Sequence, residues 1–174
     1  MSQQLVHHWT RLSSRLGPGD ETRPVDAGVE TVRRLLDELP DVTARYGLFG
    51  RPAARGVGAR VASARNEVRD RFLERGQALR MGLLDLHHLV NLTLYLEAVA
   101  RGRGDETLEE FAGGWHSQLS EAEVAAREAV SAIGEDPDGA ILPVDSSPAG
   151  RAGQRAANSM GTLGEWIDRR AARG

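Results

Sequence analysis

The chain has 174 residues, 22 basic against 25 acidic, a formal net charge of −3, no cysteine and 5% aromatic residues. That length suits one domain spanning residues 1–174, able to bury a core without help from metals or disulfides. The missing thiols exclude disulfides, thiolate catalysis and sulfur-based zinc sites, and because every basic residue is arginine, Schiff-base and lysine general-base chemistry are excluded too.

The chain is rich in Ala, Leu, Arg and Glu and poor in β-branched residues, a mixture that favours helix over strand. Met1 to Leu12 lacks a basic segment followed by an apolar run, so no signal peptide is expected. No run reaches membrane-spanning length, and a cytoplasmic location is the expectation.

Leu5, Val6, Trp9, Leu12 and Leu16 recur at helical spacing, and Gly17-Pro18-Gly19 ends that helix. A second stripe, Val25, Val29, Val32, Leu36 and Leu39, follows Pro24, which suits a helix start. Pro40 is expected to interrupt it, leaving Asp41 to Tyr46 as a separate short turn. Residues 47–58 read as a Gly/Arg-rich loop. A long helical pattern starts at Ala59 and runs to about Arg101, with a bend or break expected between Gly76 and Gly82.

Met81 to Ala100 is the most apolar stretch. On a wheel of about 100° per residue, Leu79, Leu83, Leu86, Val90 and Leu94 share one face, and Leu89, Leu92, Leu96 and Val99 a second. A helix apolar on two faces sits at a bundle centre or also touches a partner, so the second set is the candidate partner contact. Thr107-Leu-Glu-Glu110 reads as a capping box opening the next helix. Ser120-Glu-Ala-Glu123 reads as another, which predicts a joint near Leu119. Residues 134–147 read as a loop, and its Glu135 to Gly139 segment as a turn lacking the ligand spacing of a calcium loop. Ser147-Pro148 looks like an N-cap with proline at the first helical position. The last helix carries a small-residue strip of Gly153, Ala157, Gly161 and Gly164. No strand-like alternation occurs, and the economical fold is all-α, an antiparallel bundle of four to five helices with one long, bent central helix.

Charge is unevenly spread. Residues 1–103 hold 16 Arg against 12 acids, and residues 104–174 hold 6 Arg against 13 acids. The bland reading is solvated faces of neighbouring helices steering each other. The functional one is an Arg45–Arg80 element that meets an anion or an acidic partner, with Arg51, Arg55 and Arg60 beside a helix N-terminus near Ala59. Nucleic acid is an alternative partner, although the chain is acidic overall and carries no nucleic-acid motif. Tyr46, Leu48 and Phe49 beside Arg51 would suit a protein or membrane surface, but a plain connection between helices is the first reading.

If the helices around Gly102–Gly104 form a hairpin, His88 and His116 lie within about one turn of each other along the axis. Asp85 precedes His88 by three positions, so Asp85, His88 and His116 form a conceivable set of bundle-type ligands for a divalent metal. The carboxylate–histidine pattern occurs once and in variant form, and no cofactor is otherwise expected. The leading expectation is a non-enzymatic, self-associating helical-bundle interaction protein. The alternatives are a metal-dependent enzyme using Asp85, His88 and His116, and anion or nucleic-acid binding by the arginine-rich element.

Overall fold

The computed structural model describes residues 2–17, 19, 22–48, 73–155, 159 and 170. The described elements are α1 (Ser2–Leu16), α2 (Thr22–Arg45), α3 (Arg75–Arg103), α4 (Glu106–Gly134) and the one-turn α5 (Pro137–Ala140). A further helical segment covers 148–155. Among the described residues the only strand-like feature is an isolated bridge between Glu74 and Pro143, so the all-α bundle is as the composition predicts.

The four long helices form a ring in which each packs on two neighbours: α1 on α2, α2 on α4, α4 on α3 and α3 on α1. Every neighbouring pair is antiparallel. Ser13 of α1 bonds Asp26 of α2, while the earlier Thr10 meets the later Arg33. Tyr46, just past α2, reaches Asp105, and Glu38 reaches Trp115 on α4. Arg101, Val90 and His87 of α3 meet Glu109, His116 and Glu123 of α4 in turn. It follows that α2 and α3 run in the same direction. α2 ends beside Asp105. α3 begins beside Leu16, whose carbonyl accepts from Arg75.

The core fills the ring with Leu5, Trp9 and Leu12 of α1, Val25, Val29, Val32 and Leu35 of α2, Leu79, Leu86 and Leu89 of α3, and Trp115 and Leu119 of α4. These are the stripes that helical periodicity marks out. Trp9 needs a slot: a Cβ on Gly28 of α2 would overlap its ring, and a Cβ on Gly82 of α3 would sit 2.5 Å from its Nε1. Both glycines are buried. Gly82 thus admits a neighbouring ring, and α3 runs through it unbroken.

Several boundaries differ from the sequence expectation. α2 continues through Pro40 to Arg45. Proline removes only its own N–H, and Pro40 is exposed, while Leu36, Leu39 and Val42 around it stay half-buried against the bundle. The long pattern from Ala59 is broken at Leu73–Glu74, where the backbone is spent on other partners. The Leu73 carbonyl accepts from Val144 N at 3.0 Å, and Arg75 N donates to the Leu142 carbonyl at 2.9 Å. α4 starts at Glu106, and its N-cap is not Thr107 but Asp105, which accepts from Leu108 N. It passes Leu119 without a joint, because the Ser120 hydroxyl donates back to the His116 carbonyl and Glu123 turns toward α3. The expected 134–147 loop contains α5, capped by Asp136 accepting from Gly139 N at 3.0 Å. Ser147 caps the next helical segment as expected, its hydroxyl accepting from Gly150 N. No described helix is long and apolar enough to cross a membrane.

Candidate functional site

The α3–α4 seam is where chemistry-bearing side chains gather. His87 and Asn91 stand one turn apart on α3, and Glu123 and Arg127 one turn apart on α4, so each pair projects from one side of its helix. His87 Nδ1 lies 2.8 Å from Glu123 Oε1, and Arg127 donates to the same oxygen at 2.5 Å. The Asn91 amide nitrogen lies 2.8 Å from the His87 carbonyl oxygen and 3.0 Å from His87 Nε2. The Glu123 side chain is only 9% exposed, whereas His87 is 51% and Arg127 58% exposed.

Burial pushes the Glu123 carboxyl up, as for any charge taken out of water. The hydrogen bonds of Arg127 and His87, with the Arg127 charge, outweigh that cost and hold it below its ordinary 4.5. The arrangement is therefore a buried, ionised carboxylate holding an exposed imidazole in one orientation. It clamps two helices, and it also fixes which ring nitrogen faces solvent.

A second feature is the outer side of α3. Leu84 and Tyr95 are each 67% exposed and Leu92 48%. At roughly 100° per residue they fall on one strip opposite the buried Leu86, Leu89 and Thr93. The two apolar stripes read from the sequence do not become an inner and an outer face. The bundle buries the seam between them, so Leu89 is 2% exposed and belongs to the chain's own core. Leu96 and Val99 are half-buried and Leu92 is exposed. Of the four expected partner contacts, Leu92 is the one fully turned to solvent.

The proposed metal ligands are not brought together. Asp85 and His88 are exposed on α3. His116 sits at the expected height along the hairpin, but its Nδ1 donates to the Val90 carbonyl at 3.2 Å. Val90 and His88 are about 160° apart around the α3 axis at roughly 100° per residue. Matching height therefore does not bring His116 to His88. Among the described residues no three His, Asp or Glu side chains converge on a common point. Arg51, Arg55 and Arg60, most of the 47–58 loop, and Ala157, Gly161 and Gly164 of the small-residue strip lie outside the described residues.

A cleft of about 330 Å³ opens where Pro24 of α2, Arg75 of α3 and Glu128 and Ile133 of α4 meet above Asp136. His87 and Glu123 do not line it. Sequence reading passed over the His87 cluster because each half looks like ordinary helix-surface polarity. The available signal was the pair of i,i+4 spacings, His87–Asn91 and Glu123–Arg127, one on each arm of the hairpin that turns at Gly102–Gly104. No protein-family model matches this chain, and no curated protein or solved structure is significantly similar to it.

Proposed function

We propose that the protein acts through protein–protein contact, as a helical-bundle adaptor, regulator or assembly subunit, and that it self-associates through the outer side of α3. The observation that carries this reading is the exposure of Leu84, Leu92 and Tyr95 on one strip of a helix whose opposite side is fully packed. Two half-buried residues, Met81 and Val99, extend the same strip. Burying an exposed Leu is worth roughly 1.5–3 kcal/mol, and contiguous apolar strips on a surface mark contact sites. A strip along one helix is self-complementary about a two-fold axis, which gives a closed dimer.

Sedimentation velocity across a concentration series tests the reading. The wild-type chain is expected to pass from monomer to dimer. The Leu84→Gln/Tyr95→Ser double variant is expected to weaken association by about tenfold or more, the equivalent of roughly 1.4 kcal/mol. A wild-type chain that stays monomeric throughout, or a double variant that dimerises equally well, overturns self-association through this face.

A further inference from the structure

We propose that His87 is a phosphoryl-acceptor site with Nε2 as its nucleophile. The ring's protonation state follows from its neighbours. The His87 carbonyl oxygen can only accept, so the Asn91 atom 2.8 Å from it is the amide nitrogen. That same nitrogen approaches Nε2 at 3.0 Å, and a donor at this position requires a lone pair on Nε2. The ring proton is then on Nδ1, which donates to Glu123 Oε1 at 2.8 Å. This is a neutral imidazole on a half-exposed side chain, its basic nitrogen covered by the Asn91 amide alone and its other nitrogen tied to a buried carboxylate, the ground state a nucleophilic histidine needs.

The surroundings favour acceptance of a group over turnover of a bound substrate. A general base acting on its own substrate needs a concave site to hold it, and the cleft near Arg75 and Glu128 does not include His87. His87 instead stands half exposed on a long, packed helix, open to a donor carried by another molecule. The donor class is a phosphoramidate or an acyl phosphate. The Nε2 lone pair forms the N–P bond as the bond from phosphorus to the leaving group breaks. The leaving group departs with that electron pair, as ammonia from protonated phosphoramidate or as a carboxylate from an acyl phosphate. The ring becomes cationic, and its Nδ1–H remains on Glu123, which balances the charge. The Asn91 amide must leave Nε2 for the attack, while Arg127 and the Nδ1–H share the Glu123 oxygen at the other ring nitrogen and keep that carboxylate ionised.

The test is labelling of the full chain with potassium phosphoramidate at neutral pH, followed by peptide mapping and NMR assignment of the modified nitrogen. His88, the next residue, is also exposed and is the internal control; because it lies one turn from both Leu84 and Leu92 on the proposed dimer face, labelling is run at a dilution where the chain is monomeric. We expect the phosphoryl group on Nε2 of His87, gained roughly tenfold faster than at His88, the scale of one charge-assisted hydrogen bond. Asn91→Ala, which uncovers Nε2, is expected to speed labelling of His87. Glu123→Gln, which keeps the shape and removes the charge, is expected to slow it. Equal rates at His87 and His88, or phosphorylation of His87 at Nδ1, overturns the proposal. Because His88 is compared within the same molecule and Asn91→Ala leaves the buried carboxylate in place, a loss of folding in Glu123→Gln does not decide the result.

Discussion

Trp9 occupies its place only because two other helices carry no side chain where its ring lies. A Cβ at Gly82 would stand 2.5 Å from Trp9 Nε1, whereas one at Gly114, on the exposed side of α4, would meet nothing within 4 Å. Gly82→Ala gains about 1 kcal/mol of helix propensity but overpacks a full core at a cost of about 1–3 kcal/mol. Its net effect is a lower urea midpoint. Gly114→Ala takes the propensity gain alone and raises the midpoint, by about 0.5–1 kcal/mol of stability. Glu123 is the other residue whose environment sets a measurable property. Its folded-state pKa lies below the ordinary 4.5. Its contribution to stability is therefore fully present above that ordinary value and is lost as pH falls through the depressed one. Glu123→Gln is expected to cost about 1–3 kcal/mol at neutral pH, with the gap to wild type closing in acid. Unfolding curves at several pH values check both the size and the direction. From the sequence, Gly82 reads as a helix weak point and Glu123 as part of a capping box. Each reading considers the residue within its own helix, and each outcome is decided by a side chain on another helix.

Elements were most legible where apolar periodicity is strong. The stripes of α1 and α2 name most of their core residues directly, from Leu5, Trp9 and Leu12 to Val25, Val29 and Val32. Interruptions were the less legible part. Pro40 lies inside α2, because tertiary packing of Leu36, Leu39 and Val42 outweighs one missing hydrogen bond. Pro40→Ala restores that bond and is expected to raise stability by about 1–3 kcal/mol, read as an increased denaturation midpoint without loss of helical circular dichroism. The start of α3 illustrates the converse. Nothing in the composition around Leu73 and Glu74 marks a break, yet the Leu73 carbonyl is taken by Val144 and the Arg75 amide by Leu142. A helix cannot extend through carbonyls and amides already committed to a distant segment.

At the scale of the molecule, the antiparallel ring follows from four helices of 15, 24, 29 and 29 residues seeking one core. The hairpin of α3 and α4 is closed by Arg101 bridging Glu97 and Glu109 at 2.5 and 2.7 Å. Tyr46 adds a bond to the α4 N-cap at the same end. Asp105 accepts that hydroxyl at 2.6 Å, which, with the Leu108 amide, holds its carboxyl below the ordinary range. Some of the acid excess of residues 104–174 is thus matched within the bundle, by Arg101 on Glu109. Association through the apolar strip of α3 should persist when salt is raised, since apolar burial is not screened. Association driven by opposed charge segments should weaken over the same range. Sedimentation at low and high ionic strength separates the two, and loss of the dimer in high salt would assign the contact to charge and not to Leu84, Leu92 and Tyr95.

The sequence by itself determined the all-α class, most of the core stripes, the caps at Gly17 and Ser147, and the hairpin turn at Gly102–Gly104. These depend on local periodicity and on short-range backbone chemistry, which are written in consecutive residues. Only the tertiary structure decided which side of α3 is buried, that α2 and α3 run in the same direction, and that Trp9 fills the space left by two glycines. It also decided that His87, and not His88 with Asp85 and His116, meets a buried carboxylate. Height along a helix can be counted from the sequence. Rotation about its axis relative to its neighbours is set by the packing of the whole ring, and a turn of one residue is enough to exchange one histidine for the next.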